Sequence, residues 1–234
     1  MKTQIRIAYL SLLTILCLVL GATASAVNLY TNGPTNGTSN AYFIDVYAVS
    51  DSFVVSPNAE IDGFDIAEWV PAGATPLNFD WAIGTTSFGS DIAAGVATIG
   101  GGGNASATLL CTNGSAFHGG VCAGNLGYDV YQVDVGGLGG LPGGADWLTL
   151  TGATDNFGGR DAWDINSGPS LAYHNSLGAV CSESFSITGT GTPAGGGGPS
   201  SCGGGPSTPE PNSMMLFGSG ILGLAGILRR RLMG

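Results

Sequence analysis

The sequence predicts an all-β protein: a single antiparallel β-sandwich, jelly-roll-like, between an N-terminal signal peptide and a C-terminal transmembrane helix. Three observations carry this. Between Val27 and about Thr190, apolar and polar residues alternate over short runs, the period of a half-buried strand. Turn formers punctuate those runs, among them Asn32-Gly33, Asn36-Gly37, Asp62-Gly63 and Asn113-Gly114. No stretch of the body keeps a long amphipathic helical period. A body of roughly 160 residues is large enough to bury a core of its own.

The chain opens with Lys2 and Arg6, then an apolar run from Ile7 to Leu20, then the small residues Ala24-Ser25-Ala26. That order is a secretory signal peptide, residues 1–26, cut after Ala26. Cys17 follows Leu16 rather than a small residue, so it is not read as a lipoprotein cysteine.

In the body, residues 27–190, the clearest strand is residues 76–84, with Leu77, Phe79, Trp81 and Ile83 on one side. Tyr42, Ile44, Val46 and Ala48 alternate likewise, as do Tyr131, Val133 and Val135, and Phe185 and Ile187. Ile61 to Val70 and Trp147 to Thr151 are further candidates. Trp69, Trp81 and Trp147 read as core residues. Gly100 to Gly103 and Gly136 to Gly144 read as loops. Neither precedes a helix or carries a lysine, so neither is a phosphate cradle.

Charge is lopsided. Fifteen of the sixteen acids fall between Val27 and Thr208, against Arg160 alone among the bases. Such a surface repels nucleic acid and anionic lipid and favours cations. The densest polar stretch runs from Asp155 to Asn166. Asp155, Asp161 and Asp164 are its candidate ligands for Ca²⁺, a hard cation that takes six to eight oxygens. The spacing does not match an EF-hand, and the competing reading is a solvated loop in which Arg160 pairs with Asp161 or Asp164. Trp163, with Asp164 and Asn166 beside it, is the local candidate for stacking on a sugar. The competing reading, which we favour, is a core tryptophan followed by a turn at Ser167-Gly168-Pro169. No catalytic residues are assigned. Asp161 and Asp164 are too close in sequence to be given a glycosidase geometry, and His118 and His174 form no specific triad.

Cys111, Cys122, Cys181 and Cys202 follow the signal peptide. An even count in an exported chain points to disulfides. Of three possible pairings, Cys111 with Cys122 closes a short Gly/Asn loop and is preferred, leaving Cys181 with Cys202.

Residues 191–208 form a Gly/Pro/Ser-rich linker with no hydrophobic pattern. Residues 209–234 then carry Pro209-Glu210-Pro211, an uncharged run from Met214 to Leu228, and Arg229, Arg230 and Arg231. Fifteen helical residues at ~1.5 Å each span ~22 Å, short of a ~30 Å hydrocarbon core. Flanking residues and snorkelling arginines must supply the difference. The arginines place this end in the cytoplasm. This order of motif, apolar run and arginines resembles the PEP-CTERM sorting signal of bacterial exported proteins. The resemblance implies Sec-type export and a transient membrane anchor, which an exosortase-like membrane protease removes near Pro209-Glu210-Pro211. Trp163 to Ser170 followed by Leu171-Ala172-Tyr173 is similar, more loosely, to a stretch in the exported domains of that family. The expected function is thus a non-enzymatic cell-surface or extracellular-matrix protein, with extracellular polysaccharide as a candidate ligand. The alternative is a secreted polysaccharide hydrolase on a jelly-roll scaffold.

Overall fold

The computed structural model describes residues 26–166 and 168–193. In chain order its strands are β1 (Val27–Thr31), β2 (Ala41–Phe43), β3 (Val49–Val54), β4 (Glu60–Pro71), β5 (Pro76–Gly84), β6 (Ala93–Thr98), β7 (Ala105–Cys111), β8 (Ala116–Phe117), β9 (Gly120–Val121), β10 (Tyr128–Pro142), β11 (Ala145–Asp155), β12 (Ala162–Asp164), β13 (Ala172–His174), β14 (Gly178–Val180) and β15 (Phe185–Thr190). The one helical piece among the described residues is a 3-10 turn, Cys122–Asn125. No helix among them is long and apolar enough to cross a membrane. The predicted signal peptide, most of the linker and the whole sorting segment lie outside the described residues.

Every pairing between these described strands is antiparallel, apart from one isolated parallel bridge between Ile99 and Ala105. One sheet, called A here, runs β1-β15-β4-β10-β7, with β12 pairing both β2 and β4. The other, sheet B, runs β14-β13-β3-β11-β5-β6, and β8 and β9 form a small ribbon. The two large sheets share one apolar core. Leu29, Phe64, Ile66, Val133 and Ile187 enter it from sheet A, and Phe53, Phe79, Ile83, Leu148 and Leu150 from sheet B. Rings meet across the gap, Phe64 with Trp81 at 5.9 Å and Phe53 with Phe185 at 6.3 Å. This is the outcome that period-two patterning demands, since each strand must put one row of side chains out of water.

A second, smaller core lies on the other face of sheet A. Ala67 and Trp69 of β4, Val130 of β10 and Ala162 of β12 pack there against Cys111, Cys122 and Ala123. The Cys111–Cys122 disulfide forms as expected and ties the end of β7 to the 3-10 turn. Cys181 is also disulfide-bonded, while Cys202 lies outside the described residues.

Four expectations are corrected. The run from Tyr42 to Ala48 is not one strand. Pairing stops at Phe43, because Ile44 donates its N–H to Asp161 of the sheet A side and accepts from Ala153 of β11. The chain changes sheets there, and Val46 ends up in solvent. Gly136 to Gly140 belong to β10 rather than to a loop, with a register shift against β4 between Gly136 and Leu141. Asp62-Gly63 is not a turn but part of the first half of β4. A Cβ on Gly63 would stand 2.4 Å from the Val135 carbonyl oxygen, so glycine there permits close strand approach. Trp147 leaves the core, for reasons given below.

Candidate functional site

Residues 155–166 are laid out by β11, a loop and β12. A three-residue strand alternates faces, so its neighbours cannot all converge. Asp155 closes its own loop, accepting from the Phe157 and Gly159 backbone N–H groups. Asp164 points into the smaller core, where Asn36 N and Gly37 N donate to it at 3.0 Å each and Trp69 Nε1 at 2.8 Å. Burial pushes its pKa up to about 7 against those donors. Asp161 is fully buried, and both its oxygens lack hydrogen-bond partners. Its pKa is pushed up to about 8, by burial first and then by neighbouring Asp155. Asp155 and Asp161 thus lie next to each other, while Asp164 points away into the smaller core. Among the described residues, no group of three or more His, Cys, Asp or Glu side chains is arranged to hold a metal ion.

Arg160 pairs with neither Asp161 nor Asp164. Its Nε reaches Asp45 Oδ2 at 3.0 Å, and its guanidinium lies 4.0 Å from the centroid of the Phe43 ring. This correction has a simple cause. Asp161 faces inward, whereas Asp45 stands at the bend where the chain leaves sheet A.

Trp163 is fully buried in the main core, with its indole Nε1 donating to the Ser184 carbonyl at 2.9 Å and its ring 5.7 Å from Phe185. It has no free ring face for a sugar. Asn166 is spent on backbone, donating to Asn32 O and accepting from Gly168 N. His174 is buried against Tyr42 and Tyr47, with Nδ1 engaged by Ser176, and burial lowers its pKa.

Two groups of buried acids escaped the sequence reading. Glu68, next to Asp161 electrostatically, is fully buried with both oxygens unpartnered. Burial, then Asp161 and Asp155, hold its pKa well above the usual range. The second group gathers at the end of β1. Asn32 Nδ2 stands 3.0 Å from Asp51 Oδ2, 2.6 Å from Ser170 Oγ and 2.5 Å from Ser182 Oγ. Glu183 is buried beside them with an unpartnered carboxyl, its pKa raised by burial and by Asp51. The signal for Glu68 was in the sequence. Ile66, Glu68 and Val70 share one parity in β4, which puts a carboxyl on the core face. Nothing local marks Asn32 or Glu183.

None of these buried acids can meet a substrate from solvent. What decides the destination of the protein is its tail, where residues 207–231 match the family described as PEP-CTERM protein-sorting motif. The chain carries a PEP-CTERM sorting motif. The match covers Pro209, Glu210 and Pro211 and ends on Arg231. It implies export, transient membrane anchoring and processing by an exosortase at the membrane. No curated protein matches the chain.

The outer face of sheet B presents an aromatic pair. Trp147 of β11 and Tyr173 of β13 are both half-buried, with centroids 5.6 Å apart. Leu148 and Leu150 take the core-facing positions of β11, so Trp147 must point the other way. The sequence reading missed this because aromatic residues alone do not reveal which parity faces the core.

Proposed function

We propose that the mature body is a non-enzymatic β-sandwich displayed at the cell surface or in the extracellular matrix, where it binds polysaccharide. The sorting motif over residues 207–231 is the observation that supports the surface destination in this reading. The body adds two supports. The acids of its two inner clusters are buried, as Glu68, Asp161 and Glu183 are, and Asp155 is committed to backbone N–H groups, while the exposed acids, Glu60, Asp80, Asp91 and Asp134, stand on the open surface. A hydrolase needs two carboxyl groups facing across an accessible cleft. The net negative charge also disfavours nucleic acid and anionic lipid as ligands. In this reading no resident cofactor is required.

Intact-mass measurement of protein recovered from the surface and matrix fractions tests the route. The expected mass corresponds to a chain that begins after Ala26 and ends near Pro209-Glu210-Pro211, without Arg229, Arg230 and Arg231. Recovery of the full tail at the final destination overturns the transient anchor.

A further inference from the structure

We propose that the outer face of sheet B is a binding platform for neutral polysaccharide, built from Trp147, Tyr173 and Phe88. The inference rests on the polysaccharide-binding reading above and names the site and ligand class. Along β3, Val49 and Phe53 enter the core, so Ser50 and Ser52 take the outer face. Strand register sets Trp147 opposite Ser52, and Tyr173 opposite Ser50 on the other side. The two aromatics thus flank a strip of serine.

Phe88 reaches the same strip from the loop between β5 and β6. Its backbone N–H donates to Ser50 Oγ at 3.2 Å, and Thr149 Oγ1 lies 2.9 Å from that same oxygen. Phe88 is 40 % exposed and holds φ at +61°. A bulky residue in the left-handed region costs energy and persists only where its surroundings enforce it, as at binding sites. Here they do. Asp91 accepts from Thr85 N at 3.0 Å and from Thr85 Oγ1 at 2.8 Å, closing the loop. Gly84 lets the loop lie so close that a Cβ there would meet the Gly89 carbonyl carbon at 2.5 Å. The loop is thus closed on itself and pinned to Ser50 on the outer face of β3, with the Phe88 ring exposed.

The chemistry of the strip selects the ligand. Aromatic faces stack on the C–H face of a pyranose, and the half-buried Ser52 hydroxyl, which accepts from Leu171 N, keeps a proton to donate to a sugar hydroxyl, while Ser50 and Thr149 are buried and bonded to each other beneath the loop. The positions flanking Trp147 and Tyr173 in register are Ser50, Ser52, Gly84 and Ala179, all uncharged. The rest of the body is strongly acidic, which opposes uronic-acid polymers and leaves neutral ones.

The test uses the exported protein as released from cells, in affinity electrophoresis through gels containing dextran, soluble starch, hydroxyethyl-cellulose or xylan, with alginate as the anionic arm. The wild type should be retarded by at least one neutral polymer and not by alginate. Trp147→Ala and Tyr173→Ala should weaken that retardation about tenfold, the scale of losing an aromatic anchor. Phe88→Gly keeps the left-handed backbone and removes only the ring, so it serves as the variant that folds even if Trp147→Ala does not. It should weaken binding with an unchanged melting temperature. Full binding by Phe88→Gly and Tyr173→Ala overturns the platform while leaving polysaccharide binding intact. A wild type held by none of the neutral polymers overturns both. Retardation by alginate alone overturns the ligand class. Sedimentation showing a wild-type dimer that these variants dissolve, with no glycan bound, assigns the face to self-association and overturns the proposal.

Discussion

Asp161 and Glu68 bring two carboxyl groups into the interior with no hydrogen-bond partner on any of their oxygens. Arg160 does not relieve them, because it is engaged with Asp45. An unpaired buried charge is costly, so each group holds its proton instead. The Asp161 pKa is about 8 in the folded protein, against about 3.9 in an unfolded chain. Asp51 and Asp164 are raised to about 7. The folded state therefore binds more protons than the unfolded state across this window. Stability is greatest on the acid side and falls as pH rises from about 4 towards 8, by up to about 1.4 kcal/mol per pH unit for each such group. Melting temperatures measured from pH 5 to 9 should decline, and Asp161→Asn should flatten part of the slope. An equally steep decline in that variant would remove Asp161 from the explanation. Trp163 makes the contrasting case of an apolar residue. Truncating this fully buried ring to alanine should cost about 3–5 kcal/mol, read as a lower denaturant midpoint. A midpoint within experimental error of wild type would refute its core role.

At the scale of elements, β12 shows why a polar cluster in sequence is not a site in space. Its three residues send Trp163 into the main core and Ala162 and Asp164 into the smaller one. The smaller core depends on the disulfide that links β7 to the 3-10 turn, where Ala123 and Asn125 adopt positive φ. Cys111 and Cys122 are separated by 11 positions. Closing a loop of that length is worth ~3 kcal/mol in the chain-entropy model. The Cys111→Ser/Cys122→Ser variant should lose about that much stability in urea unfolding. It should also expose Trp69, seen as a red shift of its fluorescence. No change in either measurement would mean that packing alone holds the lobe.

For the molecule as a whole, charge and destination fit together. A body with fifteen acids and one arginine stays soluble and self-repelling once released. Its cohesion must come from the core shared by the two sheets rather than from ion pairs, since Arg160 with Asp45 is a partly exposed pair of small worth. Removal of the tail takes away three of the remaining arginines, so processing leaves the released protein more acidic than its precursor.

The sequence by itself determined the all-β character, the β5 and β15 strands, the short disulfide loop and the sorting tail. Each depends on neighbours in the chain: a period of two, a short cysteine spacing, an ordered motif. Tertiary structure alone decided which parity faces inward when both rows hold a large apolar residue, as at Trp147 against Leu148. It also decided where the chain changes sheets at Ile44, and which acids meet. Asp51 and Glu183 lie far apart in sequence, yet the Glu183 backbone N–H donates to Asp51 Oδ2 at 2.6 Å. Asp155 and Asp164, close in sequence, serve different parts of the fold. The physical reason is that strand alternation is a local property, whereas register and sheet assignment are set by pairings between residues distant in the chain.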